Sequence, residues 1–197
     1  MRLTLLGVGA MNSPRYRPAG LLVHIGEHTL IIDGGDQDNL PDQIDAWLVC
    51  DERAELMPQI RRLARARGLE PAVARCVLGP AVITPMPVVH TSHRTYGYLL
   101  VSRNRRVGWA PEFWRYPAWA SDLDLLFADA AGWSRPIHFR GGVGGHASAK
   151  EVSPLARQHG IRRLVFAHLG RPTIAAIDAG DHLDFGEFGA DGQTFDL

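Results

Sequence analysis

The chain has 197 residues, 46% of them hydrophobic and 21% charged, which is enough to bury a substantial core, and residues 1–197 are read as a single domain. Its 21 Lys and Arg balance 21 Asp and Glu, so no net field draws it to nucleic acid or to an anionic membrane. Cys50 and Cys76 have neither metal-ligand spacing nor a disulfide framework, and no apolar run reaches the ~18–20 residues of a membrane span.

The opening MRLTLLGVGAMNSP has too short an apolar run for a signal peptide, so a cytoplasmic protein is expected. Arg2–Val8 alternates and runs into a glycine turn, as a strand does. After a loop from Met11 to Gly20, Leu21–Ile25 and Thr29–Ile32 form a β-hairpin around Gly26-Glu27-His28, and the second strand ends at Asp33-Gly34-Gly35. Ile44–Val49 is a short buried strand. A basic helix follows, with Pro58 in its first turn and Gly68 closing it. Its arginines, like Arg103, Arg105 and Arg106, read as a solvated face.

Ala72–Leu78 and Ala81–Val89 read as strands, the second interrupted by Pro85 and Pro87. Thr95–Ser102 and Arg106–Ala110 are strongly β in pattern. Phe113–Trp119 is aromatic and proline-bearing, hence a loop or short helix. Trp109, Phe113, Trp114, Trp119 and Trp133 read as packing rather than as a stacking platform, so a nucleic-acid partner is not expected. Leu123–Ala128 is another buried strand, ending in Asp129. The loop Gly132–Gly145 holds five glycines and His138, a composition that predicts mobility. A helical segment then carries Pro154, predicting a kink or a restart with Ser153 as N-cap. Leu164–Ala167 is a buried strand with His168 at its exit, where α/β folds hold ligands. From Thr173 the chain reads as a loop and one last strand near Gln193–Leu197. Ten or more strands with helices between them predict an α/β (α+β) sandwich of two mixed sheets with helices outside.

LTLLGVGAMNSP and LLVHIGEHTLIIDGG resemble the opening of the metallo-β-lactamase superfamily. HTSHRTYGYLL, RRVGWAPEF and GHASAKEVSPLARQHGIRRLVFAHLG are similar, in the same order, to segments of its tRNase Z-like and phosphodiesterase-like branch. The likeness spans nearly the whole chain and implies an αββα four-layer sandwich. It also implies His90, Glu112 and His168 as metal ligands and His146 as the loop histidine that contacts substrate phosphate or protonates the leaving group. His93, three residues on, competes with His90 for the ligand position.

One segment departs from the pattern. Where the superfamily carries His-x-His-x-Asp-His, this chain reads Asp51-Glu52-Arg53-Ala54-Glu55-Leu56. The normal dinuclear zinc site therefore cannot form as it does there. Two readings follow. In one, Asp51 and Glu55 add oxygens to His90, Glu112 and His168, one zinc, manganese or iron ion is held, and Asp51 and His146 serve catalysis in a diverged hydrolase of small-molecule or phosphoester substrates. In the other, the Arg53 guanidinium fills the metal pocket and pairs with Glu112, Asp51 or Glu55, leaving a metal-free, inactive binding or assembly protein. Asp33 is read as fixing the turn beneath the site.

Overall fold

The computed structural model describes residues 1–34 and 40–197; Gly35, the last residue of the predicted Asp33-Gly34-Gly35 turn, lies outside them. Fourteen strands and three α-helices occur among the described residues. The first sheet contains β1 (Arg2–Gly7), β2 (Gly20–Ile25), β3 (His28–Asp33), β4 (Ala46–Leu48) and β14 (Thr194–Asp196), in the order β14-β1-β2-β3-β4. Its pairs are antiparallel except β3 with β4. Alternation along these strands sorts the side chains onto two faces. Leu21, Val23, Leu30 and Ile32 point to the core between the sheets. Leu22 and Ile31 point the other way, onto α1 (Met57–Arg65), and meet Met57, Ile60, Leu63 and Ala64.

The second sheet has seven strands, β5 (Cys76–Leu78), β6 (Ala81–Val88), β7 (Thr95–Ser102), β8 (Arg105–Ala110), β9 (Leu125–Ala130), β12 (Leu164–Leu169) and β13 (Glu187–Phe188), in the order β13-β12-β9-β8-β7-β6-β5. Strands β8, β9, β12 and β13 are mutually parallel, whereas β5 to β8 form an antiparallel meander. A short hairpin of β10 (Ile137–His138) and β11 (Gly145–His146) stands apart. Helix α2 (Ala149–Gln158) packs on β9 and β12, while α1 covers the opposite sheet, which gives the expected αββα layering.

Several local expectations are corrected. The predicted strand Ala72–Leu78 is divided: Ala72 bridges Leu48 of the first sheet, and only Cys76–Leu78 pairs in the second. Pro85 and Pro87 stay inside β6 because β5 covers only Ala81–Ile83, leaving the proline stretch on a free edge where no donor is needed. Helix α2 runs through Pro154 without restarting; Ser153 lies inside it, and its hydroxyl donates to the Phe185 carbonyl at 2.6 Å instead of capping. A third helix, α3 (Arg171–Asp178), occupies a stretch read as loop, with its proline in the first turn, where the missing N–H costs nothing. No helix among the described residues is long and apolar enough to cross a membrane.

The two sheets are joined by polar contacts as well as by apolar packing. The fully buried Tyr98 hydroxyl on β7 donates to the Val49 carbonyl at 3.0 Å, beyond the end of β4. Replacing Tyr98 with Phe leaves that carbonyl without this donor in a dry core. It is expected to lower stability by roughly 1–2 kcal/mol in urea unfolding, with the slope unchanged.

Candidate functional site

Three neighbouring parallel strands deliver side chains to one edge. Glu112 follows β8, Asp129 lies near the end of β9, and His168 lies near the end of β12. This is the carboxyl edge at which parallel sheets place ligands. His168 does not follow the strand, as read from the sequence, but belongs to it. The β12–β9 register shifts between Phe166 and His168, which sets His168 opposite Asp129. Such a bulge re-aims a side chain locally. His90 arrives from the turn after β6, and His146 from β11, whose partner β10 and the glycine-rich loop between them hold it over the edge.

The imidazoles form a stack. His146 lies on His168 with ring centroids 4.9 Å apart and 19° between planes, and His90 tilts against His146 at 4.6 Å. Phe139 packs edge-on against both His90 and His146. His90 Nδ1 donates to the Gly145 carbonyl at 2.9 Å, so its Nε2 carries the lone pair, and this atom faces Glu112 Oε2 at 3.4 Å. His168 Nδ1 faces the other oxygen, Glu112 Oε1, at 3.6 Å, and is a buried nitrogen with no hydrogen-bond partner.

Asp129 is 0% exposed and saturated: it accepts from the Phe113 and Ala131 amides at 2.9 and 2.8 Å and from His146 Nδ1 at 2.8 Å. In the sequence Asp129 only ends a strand. Its signal there was a lone carboxylate closing the apolar run LDLLFA, and nothing in the sequence paired it with His146. Burial acts to lower the His146 pKa, but the charge and hydrogen bond of Asp129 outweigh it, and the pKa lies above its ordinary value. Burial lowers His90, and the neighbouring His146 adds to this. Burial also takes His168 down to about 3. Although 32% of the Glu112 side chain meets solvent, its carboxyl is enclosed by the imidazoles, and burial pushes its pKa up to about 8.

The segment from Asp51 to Leu56 supplies little to this edge. Asp51 is buried, but its carboxylate is engaged: Oδ2 with His93 Nε2 at 2.8 Å and Oδ1 with the Arg53 amide at 2.8 Å. Glu55 is exposed and, among the described residues, makes no contact with the cluster, so it does not join the ligand set expected for it. Arg53 is exposed as well, on a surface cleft beside His93, and does not fill the pocket next to Glu112. That pocket is a cavity of about 50 Å³, and Ala54, Leu56, Asp51, Glu112 and His168 are among its lining. His90 takes the position facing Glu112, and His93 turns to Asp51 instead.

No protein-family model matches the sequence, and no curated protein sequence matches it. Solved structures do match in shape. The metallo-β-lactamase fold protein YhfI from Bacillus subtilis has a TM-score of 0.77 at 15% identity, over 99% of both chains. A diphosphatase of the PhnP family gives 0.73 at 18%, over 100% of this chain and 97% of that one. Zn²⁺-bound PqqB from Methylobacterium extorquens gives 0.71 at 15%, over 100% of both. The chain has the metallo-β-lactamase fold. At these identities the likeness is one of architecture.

Whether the residues here fit the metals of that fold is decided by the donors. A bound zinc ion needs three or four ligands converging on one point. His90 and His168 face different oxygens of Glu112, Asp51 is paired with His93, and Glu55 is exposed. Among the described residues no group of three or more His, Cys, Asp or Glu side chains is arranged to hold a metal ion. His168 Nδ1 is left without a partner, and the set around it does not fit a two-metal centre.

The two extreme pKa values oppose each other in the metal-free protein. Glu112 keeps its proton up to about 8 when folded, against 4.5 ordinarily, so folding is weakened as pH rises through that window. His168 stays neutral down to about 3 against 6.5, so folding is weakened as pH falls below about 6.5. Glu112→Gln is expected to gain stability relative to the parent between about pH 5 and 8, while acid destabilisation below about 6.5 persists, as read from melting temperature against pH.

Proposed function

We propose that the chain is a hydrolase of phosphoester-type substrates that works through a histidine–carboxylate acid–base centre rather than through two metals. The observation that carries this reading is the Asp129–His146 pair. A fully buried carboxylate, held by two backbone amides, fixes one imidazole nitrogen at 2.8 Å. Its Nε2 is left to exchange a proton at the site edge. Such pairing sets the tautomer and favours the imidazolium, as a proton donor to a leaving oxygen requires. Glu112 lines the 50 Å³ cavity with His168 beside it. The space is that of about one or two waters, and Glu112, which keeps its proton up to about 8, can take a proton from such a water only above that pH. The phosphoester class is supported by the diphosphatase among the structures of similar shape.

A second reading, a binding protein without turnover, is favoured by Ala54 and Leu56. These apolar side chains line the cavity on the segment where the superfamily's motif would place its ligands.

Untagged protein purified without chelators, analysed for bound metal and assayed on bis(p-nitrophenyl) phosphate, tests the reading. Expected are substoichiometric metal and chelator-insensitive turnover, reduced about 10²–10⁴-fold in His146→Ala and also reduced in Asp129→Asn. Stoichiometric metal with chelator-sensitive turnover restores a metal-dependent hydrolase, and absence of turnover with absence of metal selects the binding protein.

A further inference from the structure

A second cleft, of about 580 Å³, shares Asp51 with the histidine edge and is lined by Asp51, Glu52, Arg53, Ser92, His93 and Arg94 among others. Its size is that of a small-molecule site. The charges in it are unequally satisfied. Both Asp51 oxygens are taken, by His93 Nε2 and the Arg53 amide, and one Glu52 oxygen accepts from the Val73 amide at 3.0 Å. The guanidiniums of Arg53 and Arg94 are exposed and, among the described residues, have no ion-pair partner. Arginine side chains free of carboxylates, on one concave surface beside a serine hydroxyl, present the forked donors that suit a tetrahedral oxyanion.

His93 adds a second feature. Its side chain is 27% exposed, and Asp51, at 8%, anchors Nε2 from within. With Nε2–H donated to Asp51, the ring is held in one orientation and Nδ1 is its other polar atom. The cleft thus combines two unpaired cations with an oriented imidazole.

We infer that this cleft binds the phosphate group of a small molecule, with Arg53 and Arg94 as the clamp and the Asp51–His93 pair against the bound group. The segment that departs from the superfamily motif then has a use of its own: Asp51 and Arg53 face a neighbouring anion site. This inference does not depend on turnover at the Asp129–His146 centre.

Calorimetric titration with inorganic phosphate at constant ionic strength tests it, alongside nitrogen-detected spectra of the histidine rings. Saturable binding is expected in the parent chain, with His93 ring signals shifting. Arg53→Ala and Arg94→Ala each weaken it by about tenfold or more, and Arg62→Ala, on the exposed face of α1, leaves it unchanged. Arg53→Lys and Arg94→Lys, which keep the charge without the fork, give intermediate losses and stand in should an alanine variant fail to fold. Non-saturable binding, equal loss in Arg62→Ala, or phosphate shifting His146 and His168 while His93 stays still overturns the inference.

Discussion

The site rests on one carboxylate that ties the two sheets together beneath it. Asp33 ends β3 in a left-handed conformation, φ 56°, which only a few non-glycine residues tolerate. Its Oδ1 accepts from the Cys50 amide at 2.7 Å, its Oδ2 from Trp109 Nε1 at 2.8 Å, and its carbonyl from Trp47 Nε1 at 3.0 Å. One residue therefore ties the end of the first sheet to the start of the 50–56 segment and to β8 of the second sheet. Burial pushes its pKa up against these donors. The strain and the desolvation are offset by three hydrogen bonds, and the result is a fixed floor from which both Glu112 and Asp51 are positioned.

Above that floor the edge is divided in two. On one side, Asp129, His146, His168, His90 and Glu112 converge through parallel strands, a bulge and a short hairpin. On the other lies the segment from Asp51 to Leu56: Arg53 and Glu55 face solvent, Leu56 joins the apolar layer over α1, and Asp51 is paired with His93. The buried His168 nitrogen without a partner is the physical trace of this division. An unpaired buried polar atom costs of order 1–3 kcal/mol, a cost that sites carrying function tolerate more often than cores do.

Much of this was legible beforehand. The hairpin of β2 and β3, the meander of β6 to β8 and the buried β9 and β12 carry period-two or continuous apolar patterns that local chemistry dictates. Helix α3 was missed because RPTIAAID is short and its apolar positions are few, so its helicity rests on docking, with Thr173 donating to the Ala130 carbonyl at 2.6 Å. Of the kink and the restart expected at Pro154, the restart does not occur, because the packing of Ala149, Val152 and Ala156 holds the helix on the sheet through the proline. One of the two readings places Arg53 inside the pocket on charge complementarity. Its exposure follows from the turn, in which its own amide caps Asp51 and the guanidinium keeps its hydration.

By itself the sequence determined two mixed sheets with helices outside, through apolar periodicity; the αββα layering and the grouping of His90, Glu112 and His168 with Asp51, Glu55 and His146 came from its likeness to the superfamily's motif order. It also showed that the 51–56 segment lacks the motif histidines. Only the tertiary structure decided which groups pair. Asp129 with His146, Asp51 with His93 and Glu112 between two imidazoles lie 17, 42 and up to 56 positions apart in the chain. Such pairings depend on sheet register, on a bulge in β12 and on which side chains a turn leaves in water. No local pattern encodes these.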